Sequence, residues 1–501
     1  MRKKSHFIGL SFSGGGVLTA CLLCLVTLSL PIGAFSQNIG IGTTLPNEKL
    51  HVAGNIKADT VKPNAIKLTP NAGTGKILTS DAVGNANWQT NNAAAAGNIG
   101  FGVWGDCAAN GNISNYQPVA DANGEFGDKF GNSVSIGGNY TIVGTPGEAV
   151  GANTGQGSVS IYQNNGGTWV FMQKITDATG APNDGFGNSV QISGNYVIVG
   201  ASNDDVGVNA NQGSASIYQY NGSSWVLMQK ITDAGGAAGD NFGVSVSISG
   251  NYAIGGAFND DMGANTNQGS ASFYQYDGVN WILTQKSAEP TGAANDNFGN
   301  SVSISGNYAI IGVPGDNVTA ANTNQGSAII YQYNGITGWN LIQKITDVTG
   351  SSGDNFGASV SISGNYVVGG AFRDDVGTNN DQGSCSIFQF NGSNWVLMQK
   401  INDVYGVAND AFGYSVSISG SYVIIGTPFT YVPPKNNHGS ATIYQRIGMG
   451  WQKLQFITDP GGVENDLAGN AVCIDGITKQ FIIGAYGFVN YFGKVIFGKI
   501  N

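Results

Sequence analysis

Carboxylates dominate the side chains of this chain that could do chemistry. They recur in polar stretches as Asp204-Asp205, Asp260-Asp261, Asp316 and Asp374-Asp375. Hard oxygens of this kind suit calcium or a basic partner. None of these stretches has the alternating Asp-x-Asp-x-Asp-Gly spacing that wraps one ion. Calcium is therefore expected to bind weakly at most, and no cofactor is assigned. Histidine is scarce, with only His6, His51 and His438. His438 replaces the glutamine of a recurring Gln-Gly-Ser, as in Gln212-Gly213-Ser214, and reads as a surface variant. Phe-Gly-x-Ser-Val recurs six times, but it lacks the second glycine of a nucleophile elbow and lies inside a strand pattern. Its serines therefore read as packing residues. A glycosidase needs two distinct carboxylates flanking one sugar site. Here the carboxylates come as near-equivalent copies, which favours a non-catalytic binding protein. A carbohydrate-active hydrolase or lyase is the alternative.

The elements that carry these residues form a repeat. Asp-x-Phe-Gly begins at Asp128, Asp184, Asp240, Asp296, Asp354 and Asp410, with Phe130, Phe186, Phe242, Phe298, Phe356 and Phe412 two places on. A degenerate seventh copy reads Asp466-Leu467-Ala468-Gly469. The steps are 56 residues, with one of 58. A fixed period means one supersecondary unit copied along the chain. In the copy at Asp184, residues 186–193 alternate polar and apolar, and Gly194-Asn195 supplies a two-residue hairpin turn. Three further strands are predicted at 196–201, 214–220 and 225–231. Four antiparallel strands repeated seven times make an all-β, seven-bladed propeller. The seventh copy has only three strands, while an orphan fourth strand, 113–120, lies before the first copy. Pairing of 113–120 with 493–500 would close the ring.

Strand alternation also places the loops. The short first-to-second and third-to-fourth turns share one face of the disc, and every long loop lies on the other. All but six of the 31 acidic residues fall in or beside the long loops. That face is expected to be acidic, either as a surface that presents Asp204, Asp205, Asp260, Asp261, Asp316, Asp374 and Asp375 to a ligand or as a solubilising coat. The Asp of each Asp-x-Phe-Gly is expected to accept hydrogen bonds from its own turn. Trp169, Trp225, Trp281, Trp339, Trp395 and Trp451 open the outer strands and read as inter-blade packing. The lysines of the Gln-Lys pairs, such as Gln229-Lys230, read as guards against edge-to-edge aggregation.

Composition agrees with many short strands and turns: 78 glycines, 10% charged and 41% hydrophobic residues. Arg2, Lys3 and Lys4 precede an apolar run, and Ala34-Phe35-Ser36 offers a cleavage site before Gln37, so residues 1–36 read as a secretory signal. The protein is expected to be exported, either extracellular or on the cell surface. Loss of those three cations takes the formal charge from −10 to −13, which argues against nucleic acid as a partner. No later segment is apolar enough to span a bilayer. Cys107, Cys385 and Cys473 are too dispersed for a disulfide framework and read as small buried hydrophobes.

Phe-Gly-x-Ser-Val, then Gly-Asn-Tyr, then Gly-Ala or Gly144-Thr145-Pro146 and Gly312-Val313-Pro314, resembles the FG-GAP repeats of integrin α-subunit propellers. The resemblance implies a propeller of binding or adhesion type. It departs from that family where a calcium loop often separates the first two strands, because only the tight Gly194-Asn195 turn and its equivalents stand there. Upstream, Gly40-Ile41-Gly42-Thr43-Thr44, Pro46, Lys49-Leu50-His51-Val52 and Gly54-Asn55-Ile56 resemble the β-rich stalks of secreted Bacteroidetes proteins and phage tail fibres. That resemblance implies a homotrimer formed through residues 37–90, and residues 91–112 read as a linker. The ligand implied is a protein or glycan.

Overall fold

The computed structural model describes residues 116–500, apart from 122, 337, 460 and 488–491, and the backbone of four short strands further upstream. The signal-like residues 1–36, the linker 91–112 and residues 113–115 lie outside the described residues. Two compact units divide the chain, Met1–Phe101 and Gly102–Asn501. In the first, Ile39–Ile41 pairs in parallel with Leu50–Val52, and Lys76–Ser80 pairs antiparallel with Ala86–Thr90.

Seven four-stranded antiparallel sheets build the second unit. Blade two runs Ser189–Ser193, Tyr196–Ala201, Ser214–Tyr220 and Trp225–Thr232, in sequence order. Its first hairpin turns at Gly194, whose φ of 58° is a conformation glycine adopts freely. The ring closes as the orphan strand requires. Blade seven consists of Ala471–Asp475, Gln480–Ala485, Lys494–Lys499 and, from the other end of the unit, Gln117–Ala120. Lys494 faces Ala120 and Phe497 faces Gln117.

The first strands of all seven blades neighbour one another around the centre. Glycine lets them approach. A Cβ on Gly200 would lie 2.0 Å from the Gly243 carbonyl oxygen of blade three. The same clash recurs at every interface, from Gly144 against Gly187 round to Gly484 against Gly131. Ser189 Oγ donates to the same Gly243 carbonyl at 2.7 Å. Serine does this at six interfaces, and Asn470 does it at the seventh, donating to the Gly131 carbonyl at 3.4 Å.

The cores lie between blades. Ile198, Ile217 and Ile231 of blade two pack with Phe242, Ile248 and Trp281 of blade three. Each repeated phenylalanine is at most 1% exposed, and burial of one such ring contributes about 1.5–3 kcal/mol. All six repeated tryptophans are buried as well. Blade seven pairs Phe481 with Gly498 where blade two pairs Val197 with Tyr218, so large and small side chains have exchanged strands. Among the described residues, no helix is long and apolar enough to cross a membrane.

Candidate functional site

The long-loop face begins with the Asp-x-Phe-Gly turns. In each copy the aspartate accepts the N–H of the residue three places before it, as Asp184 does from Ala181 at 2.6 Å. Seven of seven copies share this bond, so the turn is locked before any ligand arrives. Burial pushes these carboxyls up. Asp184, Asp354, Asp410 and Asp466 reach about 6, and Asp128, Asp240 and Asp296 rise as well.

The other loop carboxylates divide into two sets. Asp204, Asp260, Asp316 and Asp374 are buried, whereas Asp205, Asp261 and Asp375 are exposed. Each buried one is held by the lysine of its own blade's fourth strand, which also reaches a carboxylate at the end of the preceding blade. Lys230 Nζ lies 2.6 Å from Asp204 and 2.8 Å from Asp177. Lys286 joins Asp260 and Asp233, Lys344 joins Asp316 and Glu289, and Lys400 joins Asp374 and Asp347. Burial opposes the charge on these ammoniums, yet the paired carboxylates outweigh it and raise each lysine pKa. The lysines thus do more than guard an exposed edge. They are internal counter-ions that rivet one blade to the next. Their place on the outer strand suggested a guard for the sheet edge, but a four-carbon stem can carry its charge back to the loop face.

Blades six and seven vary the scheme. In blade six, Thr430 replaces the loop aspartate and bonds Ser440 at 2.9 Å, which leaves Lys453 with Asp403 at 3.7 Å. In blade seven, Pro118 stands at the lysine register of the fourth strand. The ammonium comes instead from Lys494 on the third strand, which pairs with Asp459 and Asp466.

This seam bears directly on metal binding. Asp233, Asp240 and Asp260 offer oxygens within 4.8 Å of one another, as do Glu289, Asp296 and Asp316. That donor set would suit a hard cation. However, Lys286 Nζ already lies 2.6 Å and 2.7 Å from two of the first three carboxylates. A divalent ion would have to displace it. The exposed Asp205, Asp261 and Asp375 instead accept the N–H groups of Asn211, Asn267 and Asp381 across their loops, at 2.8–2.9 Å. Their outer edges remain available to a basic partner.

His438 is a correction. It is 1% exposed, not a surface variant. The glutamines at its register are buried too. Gln212 accepts from Asn209 Nδ2 at 2.9 Å and donates to the Asp233 carbonyl at 3.0 Å, which ties two loops together. His438 occupies that slot, where burial pushes its pKa down and favours the neutral ring. Cys385 is buried and free, as a small hydrophobe would be, and Cys473 is partly buried; Cys107 lies outside the described residues.

One sector of the face departs from the repeat. Phe372, Tyr414 and Phe429 form a ladder of edge-to-face rings, with centroids 5.6 Å and 6.0 Å apart. Tyr414 takes the register held by Asn132, Asn188 and Asn300 in blades one, two and four. The Arg373 guanidinium lies 5.3 Å over the Phe372 ring. Tyr414 and Phe429 are 38% and 37% exposed, and Tyr431 beside them is 49% exposed. Part-exposed rings with a cation beside them can pack against an apolar or planar ligand surface. This break in the repeat was missed in the sequence reading; aligning Tyr414 with Asn188 would have exposed it.

Comparison with known families matches most of the propeller. The FG-GAP repeat model fits residues 117–162, 169–218, 225–274, 281–331, 339–388 and 395–444, together more than half of the chain. Each stretch starts on a fourth strand and ends within the next blade's third. No curated protein matches the sequence.

Proposed function

Because this chain belongs to the FG-GAP repeat family, we propose that it is an exported, non-catalytic binding or adhesion protein that presents its long-loop face to a protein or glycan. The observation that carries this reading is the aromatic ladder Phe372–Tyr414–Phe429, which among the described residues is not repeated in the other blades' loops. Recognition needs asymmetry, and the repeated carboxylates Asp204, Asp260, Asp316 and Asp374 are already engaged by the protein's own lysines. Long loops locked to a closed ring can hold such rings in place without paying ordering entropy on contact. Export rests on the Arg2-Lys3-Lys4 start and the apolar run behind it, and residues 37–90 would associate three chains.

The test is a glycan array together with affinity capture from the native environment, run on the wild type and on the triple variant Phe372→Ser, Tyr414→Asn, Phe429→Asn. We expect the variant to keep its melting temperature within a few degrees and to lose at least about tenfold in affinity, as truncation of central aromatic anchors does. Equal binding by both proteins would reject the aromatic sector as the recognition site.

A further inference from the structure

The seam between blades seven and one lacks two rings that other seams possess. Where blades one and two meet, Tyr140 lies 5.2 Å from Tyr220 and 5.5 Å from Trp225. The same trio recurs as Tyr196, Tyr276 and Trp281, and as Tyr252, Tyr333 and Trp339. In the next seam, Tyr308, Phe390 and Trp395 keep three rings. At the closing seam the tryptophan survives as Trp169, stacked on Phe497 with centroids 5.2 Å apart. The tyrosine registers, however, hold Gln480 and Asn164.

A cavity of about 210 Å³ lies there, lined by Gln117, Trp169, Gln480, Phe497, Gly498 and Lys499. Gln480 is 8% exposed, and its buried Oε1 has no hydrogen-bond partner among the described residues. The buried Nδ2 of Asn164 has none either. A buried amide left unsatisfied costs about 1–3 kcal/mol, so Gln480 Oε1, which lines the cavity, favours an incoming polar group. Lys499 faces Gln480 across the strands. At that register Gln163, Gln332 and Gln445 donate to the hydroxyls of Tyr140, Tyr308 and Tyr422. A donor for a phenol oxygen is therefore in place, beside an acceptor for its proton and an aromatic wall.

We propose that this pocket receives a tyrosine side chain projecting from a protein partner. The incoming ring packs against Trp169, and its hydroxyl donates to Gln480 Oε1 and accepts from Lys499. A sugar ring fits less well, because its many hydroxyls would find few polar partners: of the lining side chains, Gln117 already spends both ends of its amide on Trp169, which leaves Gln480 and Lys499. The site lies on the short-turn face and is independent of the aromatic ladder.

Calorimetric titration of the full chain with p-cresol, toluene and methyl α-glucopyranoside tests this. We expect p-cresol to bind once per chain, toluene about tenfold or more weakly for want of the hydroxyl, and the glucoside not at all. Gln480→Tyr, which restores the ring of the other seams, should abolish p-cresol binding and raise the melting temperature. Asn164→Tyr serves the same purpose should the first variant fail to fold. Glucoside binding without p-cresol binding would overturn the proposal in favour of a sugar site. Binding of none of the three, with Gln480→Tyr still stabilising, would overturn it as a hydrated cavity only.

Discussion

Gln173 holds Trp225 by both ends of its amide: Oε1 accepts the tryptophan N–H at 2.8 Å, and Nε2 donates to the tryptophan carbonyl at 3.0 Å. Gln117 holds Trp169 in this way, Gln229 holds Trp281, Gln285 holds Trp339, Gln343 holds Trp395 and Gln399 holds Trp451. At the remaining seam Gln455 Nε2 donates to the Tyr116 hydroxyl at 3.1 Å. The outer strands of neighbouring blades are thus stitched through side chains. Gln173→Glu keeps the acceptor and loses the donor, which leaves the Trp225 carbonyl short of a partner. We expect a loss of about 1–3 kcal/mol, read as a lower thermal or urea midpoint. An unchanged midpoint would mean that water replaces the clamp without cost.

Lys286 is the protein's own cation between Asp233 and Asp260. The wild type should therefore respond alike to calcium chloride and to sodium chloride of equal ionic strength. Lys286→Ala should lose about 2–4 kcal/mol, because removing one partner leaves buried carboxylates uncompensated. It should also gain what the wild type lacks, a calcium-specific rise in melting temperature as the ion enters among Asp233, Asp240 and Asp260. Differential scanning calorimetry of both proteins in both salts decides this. A calcium-specific shift in the wild type, or none in the variant, would contradict the internal-cation reading.

The Asp-x-Phe-Gly carboxyls give the pH dependence its sign. Asp184, Asp354, Asp410 and Asp466 have folded pKa values of about 6, above the unfolded value near 3.9. The folded state therefore binds protons more readily in that window. Their contribution is present in full below about pH 4 and is lost as pH rises through about 6. Melting temperature should rise as pH falls from 7.5 to 5, and Asp184→Asn should flatten that slope. A protein that loses stability steadily over the same interval would exclude this assignment.

Gly200 and Gly194 are both glycines of blade two, but they answer to different constraints. Gly194 faces open space with a positive φ, so Gly194→Ala should cost about 1–2 kcal/mol of backbone strain. Gly200→Ala drives a methyl into the Gly243 carbonyl of the next blade, and the first strands must separate. We expect about 3 kcal/mol or more, with soluble yield falling in parallel. Similar effects at the two positions would show that the inner ring yields more easily than its packing suggests.

The period of Asp-x-Phe-Gly made the blades legible, and the unpaired segment before Asp121 made the closure legible, because both are local patterns that repeat or fail to repeat. The clamp from Gln173 to Trp225 was not legible. Those residues are 52 positions apart on different sheets, and nothing in either strand marks a partner. Asp204 was read as part of an acidic face, but its register does not reveal that Lys230 reaches over to neutralise it. His438 was misplaced for a related reason: a polar side chain in a polar loop gives no sign that two loops close over it. Gln480 and Asn164 carry a signal that copy-by-copy alignment would have shown, since each stands where other blades carry an aromatic ring.

Ala120 pairs with Lys494, 374 positions further along the chain. Every other strand pairing in the ring joins near neighbours in sequence. During synthesis, blades one to six can therefore assemble as they emerge, while Gln117–Ala120, made before all of them, must wait. Until Lys494–Lys499 appears, the growing ring carries two open sheet edges and near-identical neighbours that could pair out of turn. Completion of the ring is thus timed by the last of its own strands to be made. A nascent chain stalled before that point carries an exposed edge that a chaperone or protease can detect.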